Sequence, residues 1–268
     1  MSLLDEILAT KRAEVDALRG RVRSATARVP IDPFQALGRR PGEPLRLIAE
    51  VKLRSPSAGV LSRKLSPAER ALAYVEAGAS MVSVLCDGRY FDGAWEHLVA
   101  VRDALDHAGR SVPLLAKEFV IDEAQVAEAR DRGADSVLLI ARIVDAPRLA
   151  ELVRRARAEG LEPLVEVIDE REVQAALAAE ARIIGINARD LDTLAMDPAR
   201  VARVCSAIPP EAITVHFSGL SEARDVAQVA RGRADAALIG EALMREDDPR
   251  SKLRAMVAAA NAARTSGN

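Results

Sequence analysis

The sequence has few cysteines and no long apolar run. Cys86 and Cys205 lie far apart, outside any CxxC or Cys/His spacing, which indicates a reducing compartment and argues against a structural zinc site. No stretch approaches the roughly 20 apolar residues that a transmembrane helix needs, and the N-terminal stretch is too charged for a signal peptide. We therefore expect a cytoplasmic protein with no membrane partner.

An excess of charge of one sign is lacking as well. The 268 residues include 38 lysines and arginines against 40 aspartates and glutamates, a formal net charge of -2. This balance argues against nucleic acid as a partner bound through bulk charge, although it is compatible with a local basic pocket. Hydrophobic residues make up 49% of the chain, enough to bury a sizeable core as one large domain or two small ones.

Eight apolar runs of β type alternate with helical segments rich in Ala, Leu, Arg and Glu. The runs cover residues 47–52, 80–85, 112–117, 135–140, 162–167, 182–187, 212–217 and 235–240. Gly78, Gly133 and Gly160 follow three of the helical segments, and glycine is the usual residue just past a helix end. The alternation predicts parallel strands joined by helical crossovers, and the count favours a closed (β/α)8 TIM barrel. No GxGxxG follows the first run, so the dinucleotide-binding alternative loses its main support.

The segment before the first strand predicts an addition to the barrel. Its first part is an amphipathic helix that needs a surface to lie on, with apolar residues at Leu4, Ile7, Leu8, Val15 and Leu18. Four prolines then mark a connector, in which residues 32–37 predict a short helix. We predict an N-terminal helical extension (1–46) packed on the barrel, a catalytic barrel (47–261) and a disordered tail (262–268).

Polar residues occur where the predicted strands end, and the carboxyl ends of barrel strands face the active site. In chain order they are Glu50, Lys52, Asp87, Lys117, Glu166, Asn187, Arg189, Ser218 and Glu241, and Gly240 precedes the last of them. Two lysines and two glutamates at one mouth suit general acid/base chemistry, because nearby opposite charges and partial burial tune their pKa values. Any one of them alone would as readily be a solvated or salt-bridged residue. Asp87 precedes a glycine and is also typical of a turn, and alternation predicts that Glu118 faces outward.

Glycines at the turns after the seventh and eighth strands predict an anion site. Gly219 and Gly240 precede helices whose first backbone N–H groups are free to bind a phosphate. The loop after the first strand contains Ser55, Pro56 and Gly59 and can close over an anion. The alternative is that these glycines only permit tight turns.

Seven motifs together resemble the indole-3-glycerol phosphate synthase family. They are IAEVKLRSPSAG, VLCDGRYFDGAWEHL, LLAKEFVID, GADSVLLI, LVEVIDEREV, IIGINARDLDTL and ALIGEALMREDDP, and the likeness extends from the N-terminal helix to about Met256. The resemblance implies a carboxy-lyase of tryptophan biosynthesis with a small phosphorylated substrate. It implies ring closure of 1-(2-carboxyphenylamino)-1-deoxyribulose 5-phosphate to indole-3-glycerol phosphate, with loss of carbon dioxide and water, and no cofactor or metal. For the quaternary state we expect a monomer or a weak homodimer.

The resemblance also implies a role for each matched residue. Lys117 corresponds to the general acid that protonates the substrate carbonyl, and Glu166 to the second proton-transfer residue. Lys52 would neutralise anionic charge, and Glu50 would orient it. Asn187 and Arg189 match an Asn-x-Arg motif, in which the arginine suits a planar carboxylate.

The remaining matches imply binding roles. Ser55 and Ser218 are expected to hydrogen-bond the substrate, and Phe91 to pack on its aryl ring. The phosphate is expected at Gly219, Gly240 and Glu241.

One position departs from the family pattern. Where the family usually has Glu-Ser-Gly-Ile after the seventh strand, this chain has Phe217-Ser218-Gly219-Leu220, preceded by His216. One interpretation is a tolerated change. The other is a paralogue that acts slowly or on a ring-modified analogue, since Phe217 removes a charge and adds apolar volume at the aryl slot. His216 should point the opposite way and pack behind the sheet.

Other function classes also use a phosphate-binding barrel. A Schiff-base aldolase could employ Lys117, a phosphosugar isomerase has a similar fold, and a non-catalytic barrel could bind a phosphorylated ligand. The motif series argues against the isomerase, and fold alone does not separate the others.

Overall fold

Eight parallel strands form a closed barrel in the computed structural model, which describes residues 3–21, 28–56, 58–188 and 197–263. The strands are β1 (Arg46–Val51), β2 (Met81–Leu85), β3 (Leu114–Lys117), β4 (Ser136–Ile140), β5 (Glu162–Val167), β6 (Ile183–Asn187), β7 (Ile213–Phe217) and β8 (Ala236–Ile239). Each strand pairs with the next along the chain, and β8 pairs with β1 to close the barrel. The predicted (β/α)8 barrel is confirmed, and every strand lies within two residues of its predicted range.

Helices connect the strands and flank the barrel. They are α1 (Leu3–Arg19), α2 (Pro33–Leu37), α3 (Pro67–Glu76), α4 (Gly88–Phe91), α5 (Trp95–His107), α6 (Glu123–Asp131), α7 (Ala146–Ala158), α8 (Glu170–Ala178), α9 (Pro198–Ala207), α10 (Ala223–Ala230), α11 (Glu241–Met244) and α12 (Arg250–Ala263). A small hairpin, Arg54–Ser55 with Gly59–Val60, follows β1, and a 3-10 turn, Ala141–Ile143, follows β4. Among the described helices, none has the length and apolar character needed to cross a membrane.

Local sequence signals begin and end these helices. Ser66 and Glu69 form a reciprocal capping box at the start of α3, which satisfies backbone N–H groups that have no partner within the helix. The three glycines predicted as helix stops, Gly78, Gly133 and Gly160, have φ angles of 104°, 90° and 79°. Residues with a side chain rarely adopt this left-handed backbone conformation. Glycine therefore ends these helices and lets the chain turn into the next strand.

Side chains alternate between two buried layers. One cluster fills the barrel interior, and a larger cluster lies between the strands and the surrounding helices. The interior cluster contains residues from all eight strands together with Leu37 of α2, which is fully buried. The barrel interior is therefore a packed core, and a cavity lies at its carboxyl-terminal mouth.

The N-terminal extension contacts both ends of the barrel. Ile7, Lys11 and Val15 of α1 are buried. At the opposite end, the Ile31 backbone N–H donates to Asp135 Oδ1 at 2.8 Å. The last helix, α12, ends at Ala263, beyond the predicted barrel boundary at residue 261, and residues 264–268 of the predicted tail lie outside the described residues.

Candidate active site

A cavity of about 420 Å³ opens at the carboxyl ends of the barrel strands. Every residue predicted to bind or act on the substrate lines it except Arg189, which lies outside the described residues. Asp87, also named at a strand end, is fully buried and does not line it. The predicted residues in its wall are Glu50, Lys52, Ser55, Phe91, Lys117, Glu166, Asn187, Phe217, Ser218, Gly219, Gly240 and Glu241. The structure thus brings into one concave site side chains that are far apart in the sequence.

A chain of hydrogen bonds crosses the mouth from β3 to β7. Lys117 Nζ donates to Glu166 Oε2 at 3.4 Å, and Asn187 Nδ2 donates to Glu166 Oε1 at 2.9 Å. Ser218 Oγ in turn donates to Asn187 Oδ1 at 3.1 Å. Both carboxylate oxygens of Glu166 are therefore held, which orients the carboxylate towards the Lys117 ammonium.

This arrangement suits proton transfer. Glu166 is 4% exposed and Asn187 7% exposed, so the carboxylate lies where water screens charges poorly. The Lys117 side chain is 19% exposed and reaches the cavity. An ammonium and a carboxylate in contact, one accessible and one buried, can serve as proton donor and proton acceptor for one ligand.

A second pair of opposite charges lies at the end of β1. Lys52 Nζ is 2.9 Å from Glu50 Oε1, as alternation along the strand predicts. Glu50 is 2% exposed, and within the described ranges its Oε2 has no hydrogen-bond partner. A Cβ atom at Gly240 would lie 2.3 Å from Glu50 Oε1, so only glycine leaves room for this carboxylate. Glu50 Oε2 is positioned to accept a hydrogen bond from a ligand.

The turn after β7 has an unusual backbone. Ser218 and Gly219 have φ angles of 70° and 80°, and Ser218 is a non-glycine residue in the left-handed region. Such strain is typical of functional sites, where the surrounding structure enforces it. Arg245 and Lys252 line this end of the cavity and were not predicted from the sequence, because nothing in their local pattern distinguishes them from surface residues.

Apolar side chains form the opposite wall. The Phe91 and Phe119 rings lie 6.0 Å apart at an angle of 36°, and Leu4 and Ile7 of α1 line the cavity beside them. Leu4 and Ile7 belong to the amphipathic pattern of α1, which predicted a buried face but not its location. Phe119 was not predicted for the site, although it follows Lys117 by two residues and so falls on the same face by alternation. This wall suits a planar aromatic group.

A buried ionic cluster joins α1 to the site. Lys11 Nζ lies 2.7 Å from Asp87 Oδ2 and 2.9 Å from Glu118 Oε1. Asp87 Oδ1 also accepts hydrogen bonds from the backbone N–H groups of Tyr90 and Phe91, so its predicted role in a turn is confirmed. Glu118, which alternation predicted to face outward, is 3% exposed and lines the cavity as well as contacting Lys11. Burial raises the pKa of its carboxyl to about 7.

In the described part of the chain, neither His216 nor a group of metal-binding side chains contributes to the cavity. His216 packs away from the cavity, with Nε2 3.1 Å from the Ser218 carbonyl oxygen, and burial lowers its pKa. Within the described ranges, no three His, Cys, Asp or Glu side chains are grouped so that they could hold a metal ion.

Comparisons with known proteins identify the family of the chain. Residues 4–256 match the family model for indole-3-glycerol phosphate synthase. A protein of that name from Parafrankia sp. (strain EAN1pec) is 44% identical over 265 residues, covering 97% of this chain and 96% of its own. One from Mycobacterium ulcerans (strain Agy99) is 42% identical, covering 96% and 94%.

Solved structures add evidence for the fold alone. The crystal structure of 3-hexulose-6-phosphate synthase from Salmonella typhimurium superposes with a TM-score of 0.64 at 15% identity, covering 84% of this chain and all of the other. The sequence relatives, whose lengths this chain matches almost completely, identify the family. The chain belongs to the indole-3-glycerol phosphate synthase family.

Proposed function

We propose that the chain is a carboxy-lyase that converts 1-(2-carboxyphenylamino)-1-deoxyribulose 5-phosphate to indole-3-glycerol phosphate. The observation that carries the proposal is the contact of Lys117 with Glu166 beside an aromatic wall, with Glu166 held by Asn187. The reaction needs a proton donor, a proton acceptor, an apolar slot for an aryl ring and cations for a carboxylate and a phosphate. Residues of each kind line this cavity.

The first step forms the new carbon–carbon bond. The ring carbon that bears the carboxylate attacks the ketone carbon of the sugar chain, and Lys117 gives a proton to the ketone oxygen, which becomes a hydroxyl. Carbon dioxide then leaves, and the electrons of the broken bond return to the ring and restore its aromaticity. The reaction therefore needs no electron-sink cofactor.

The second half of the reaction removes water. Lys117 first regains a proton from solvent, and the new hydroxyl takes this proton and leaves as water. Glu166 takes up the proton that the five-membered ring loses. The hydrogen bond from Asn187 at 2.9 Å keeps the Glu166 carboxylate oriented for this transfer. Lys117 and Glu166, the proton donor and the proton acceptor, are in contact with each other. The five-membered ring therefore need not move between the two halves of the reaction.

The charged ends of the substrate bind on either side of the reacting centre. Lys52 and Arg189 are our candidates for the substrate carboxylate, and Glu50 Oε2, which lacks a partner in the described part of the chain, accepts from a sugar hydroxyl. The phosphate binds at the Ser218–Gly219 turn and at Gly240, with the backbone of Glu241. Ser55 and Phe91 complete the enclosure of the ligand. We also propose that the chain acts in the cytoplasm, in tryptophan biosynthesis, as a monomer or weak homodimer.

The test is steady-state turnover of the purified chain with this substrate, followed by the fluorescence of the indole product. Wild-type turnover that Lys117→Ala abolishes supports the proposal. Lys64→Ala is the matched control, because the Lys64 side chain is 71% exposed and lies outside the cavity lining. The single tryptophan, Trp95, gives a constant background that a protein blank removes.

Other results identify the alternatives. Binding without turnover means a non-catalytic barrel, and a covalent adduct trapped by borohydride means a Schiff-base aldolase at Lys117. Slow turnover that rises severalfold with a ring-substituted analogue means a paralogue with an altered aryl slot.

A further inference from the structure

The ring of Phe217 faces the Lys117 ammonium. Phe217 is the last residue of β7, is 2% exposed and belongs to the cluster that fills the barrel interior. Lys117 Nζ lies 5.0 Å from the centroid of its ring. The face of an aromatic ring carries partial negative charge and attracts a cation within about 6 Å of the centroid. Both residues line the cavity, and the Lys117 side chain is 19% exposed, so its ammonium is partly removed from water.

The Phe217 ring fits against the neighbouring strand because the residue there is a glycine. A Cβ atom at Gly185 of β6 would lie 2.7 Å from Phe217 Cζ and 2.9 Å from Cε2. It would also lie 3.0 Å from Leu164 Cδ2. The far edge of the ring therefore occupies space that a Cβ atom at position 185 would take.

The Lys117–Glu166 contact is a long one. Its length of 3.4 Å exceeds that of a tight charge-assisted hydrogen bond, for which about 2.8 Å is usual. A lysine ammonium ends a flexible four-carbon stem, so a single long contact restricts it poorly. The ring face supplies a second point of attraction, and the two together define one position for the proton donor.

We propose that Phe217 is a positioning residue that holds the Lys117 ammonium against Glu166 through a cation–π contact, and that Gly185 is the residue that admits the ring. The catalytic part of this inference rests on the proposed function. It differs from binding of the substrate aryl ring by Phe217, because loss of the contact should lower the rate of proton transfer rather than the affinity for substrate.

The kinetic test compares Phe217→Leu with Val215→Ala. Val215 is buried on the same strand and in the same interior cluster but does not line the cavity, so its variant reports loss of packing alone. We expect Phe217→Leu to lower kcat about tenfold with little change in KM, which corresponds to loss of a partly desolvated cation–π contact. Val215→Ala should lower Tm and leave kcat unchanged. Unchanged kcat in Phe217→Leu, or a rise in KM alone, overturns the proposal.

A double-mutant cycle tests the part played by Gly185. Gly185→Ala should displace the ring and lower kcat in the wild-type background. In the Phe217→Leu background, where no ring edge meets the new methyl group, the same change should cost much less. An equal loss of kcat in both backgrounds means that Gly185 acts through the strand backbone and not through Phe217, and it refutes this part of the inference.

A substrate-free measurement separates this proposal from the proposed function. The chain has five lysines, Lys11, Lys52, Lys64, Lys117 and Lys252, so selective 13C labelling at the lysine ε position yields a simple NMR spectrum. The ε-methylene protons of Lys117, assigned by their loss in Lys117→Arg, should be shifted upfield by the ring and should return to the ordinary position in Phe217→Leu. A shift that persists in Phe217→Leu overturns the positioning contact whatever the turnover. A ring-dependent shift in a chain without turnover supports the contact and rejects the proposed function.

Discussion

Replacing Lys11 by methionine removes a buried cation and keeps most of the side-chain volume. The Lys11 side chain is buried, and its ammonium contacts Asp87 at 2.7 Å, Glu118 at 2.9 Å and the more exposed Glu14 at 2.8 Å. The substitution leaves two carboxylates in the protein interior without their cation. We expect it to lower both the stability of the fold and the affinity of the site for substrate.

The size of the stability loss follows from the burial of both partners. Removing one member of a buried ion pair costs about 3–5 kcal/mol, because the other charge is left uncompensated. Two features place Lys11→Met near the lower limit. Glu118 already has its pKa raised by burial to about 7 and can take up a proton, and Asp87 keeps its two backbone N–H donors. A loss of about 3 kcal/mol corresponds to a fall in Tm of roughly 6–12 °C for a domain of this size.

The loss of affinity follows from what the cluster holds in place. Lys11 anchors α1, which contributes Leu4 and Ile7 to the cavity wall, and Asp87 caps the short helix that carries Phe91. We expect KM to rise several-fold while kcat falls less, since the Lys117–Glu166 contact lies on other elements. The assays are urea unfolding followed by circular dichroism and steady-state kinetics.

Arg102→Met is the matched control at the other end of the barrel. Arg102 is 4% exposed and lies 3.3 Å from the fully buried Asp135, which precedes β4. Arg102→Met should lower the free energy of unfolding about as much as Lys11→Met does and leave KM unchanged. If Lys11→Met stays within about 1 kcal/mol of wild type, or if Arg102→Met raises KM equally, the cluster does not act as described.

Three further predictions concern single side chains. Gly240→Ala should lower kcat/KM about a hundredfold in steady-state kinetics, because its Cβ would lie 2.3 Å from Glu50 Oε1 and displace that carboxylate. Unchanged kcat/KM would mean that the Glu50 position is irrelevant. Asn187→Ala should lower kcat about a hundredfold by releasing Glu166, and a change in KM alone would contradict this. Burial raises the pKa of Glu118 from 4.5 to about 7, so the folded state binds its proton more tightly and stability falls as pH rises between these values. The free energy of unfolding, measured by urea titration, should therefore be about 3 kcal/mol lower at pH 7 than at pH 4.5 because of Glu118, and Glu118→Gln should abolish this difference. The same difference in the variant as in the wild type would refute the assignment.

Much of the fold could be predicted from the sequence because its signals are local. Apolar runs of six residues, helical periodicity and a glycine after three of the helices are properties of neighbouring residues, and they predicted the eight strands to within two residues. The small hairpin after β1 and the short helix α4 were not predicted. Both are only a few residues long and are stabilised by distant contacts, such as those of Asp92 in the next loop with Arg54 at 3.9 Å and Arg63 at 2.6 Å.

The sequence by itself determined which residues stand at the strand ends, since a residue that follows an apolar run in a parallel barrel must face the mouth. Only the tertiary structure decided which of them meet. Glu166 could have paired with Lys52 as readily as with Lys117, and Lys11 gave no sign of two partners 76 and 107 positions away. Strand register and closure of the barrel decide such contacts, and both depend on the packing of all eight strands together. For the same reason, the close approach of the Phe217 ring to Gly185 depends on the register of β6 and β7, which the sequence alone does not give.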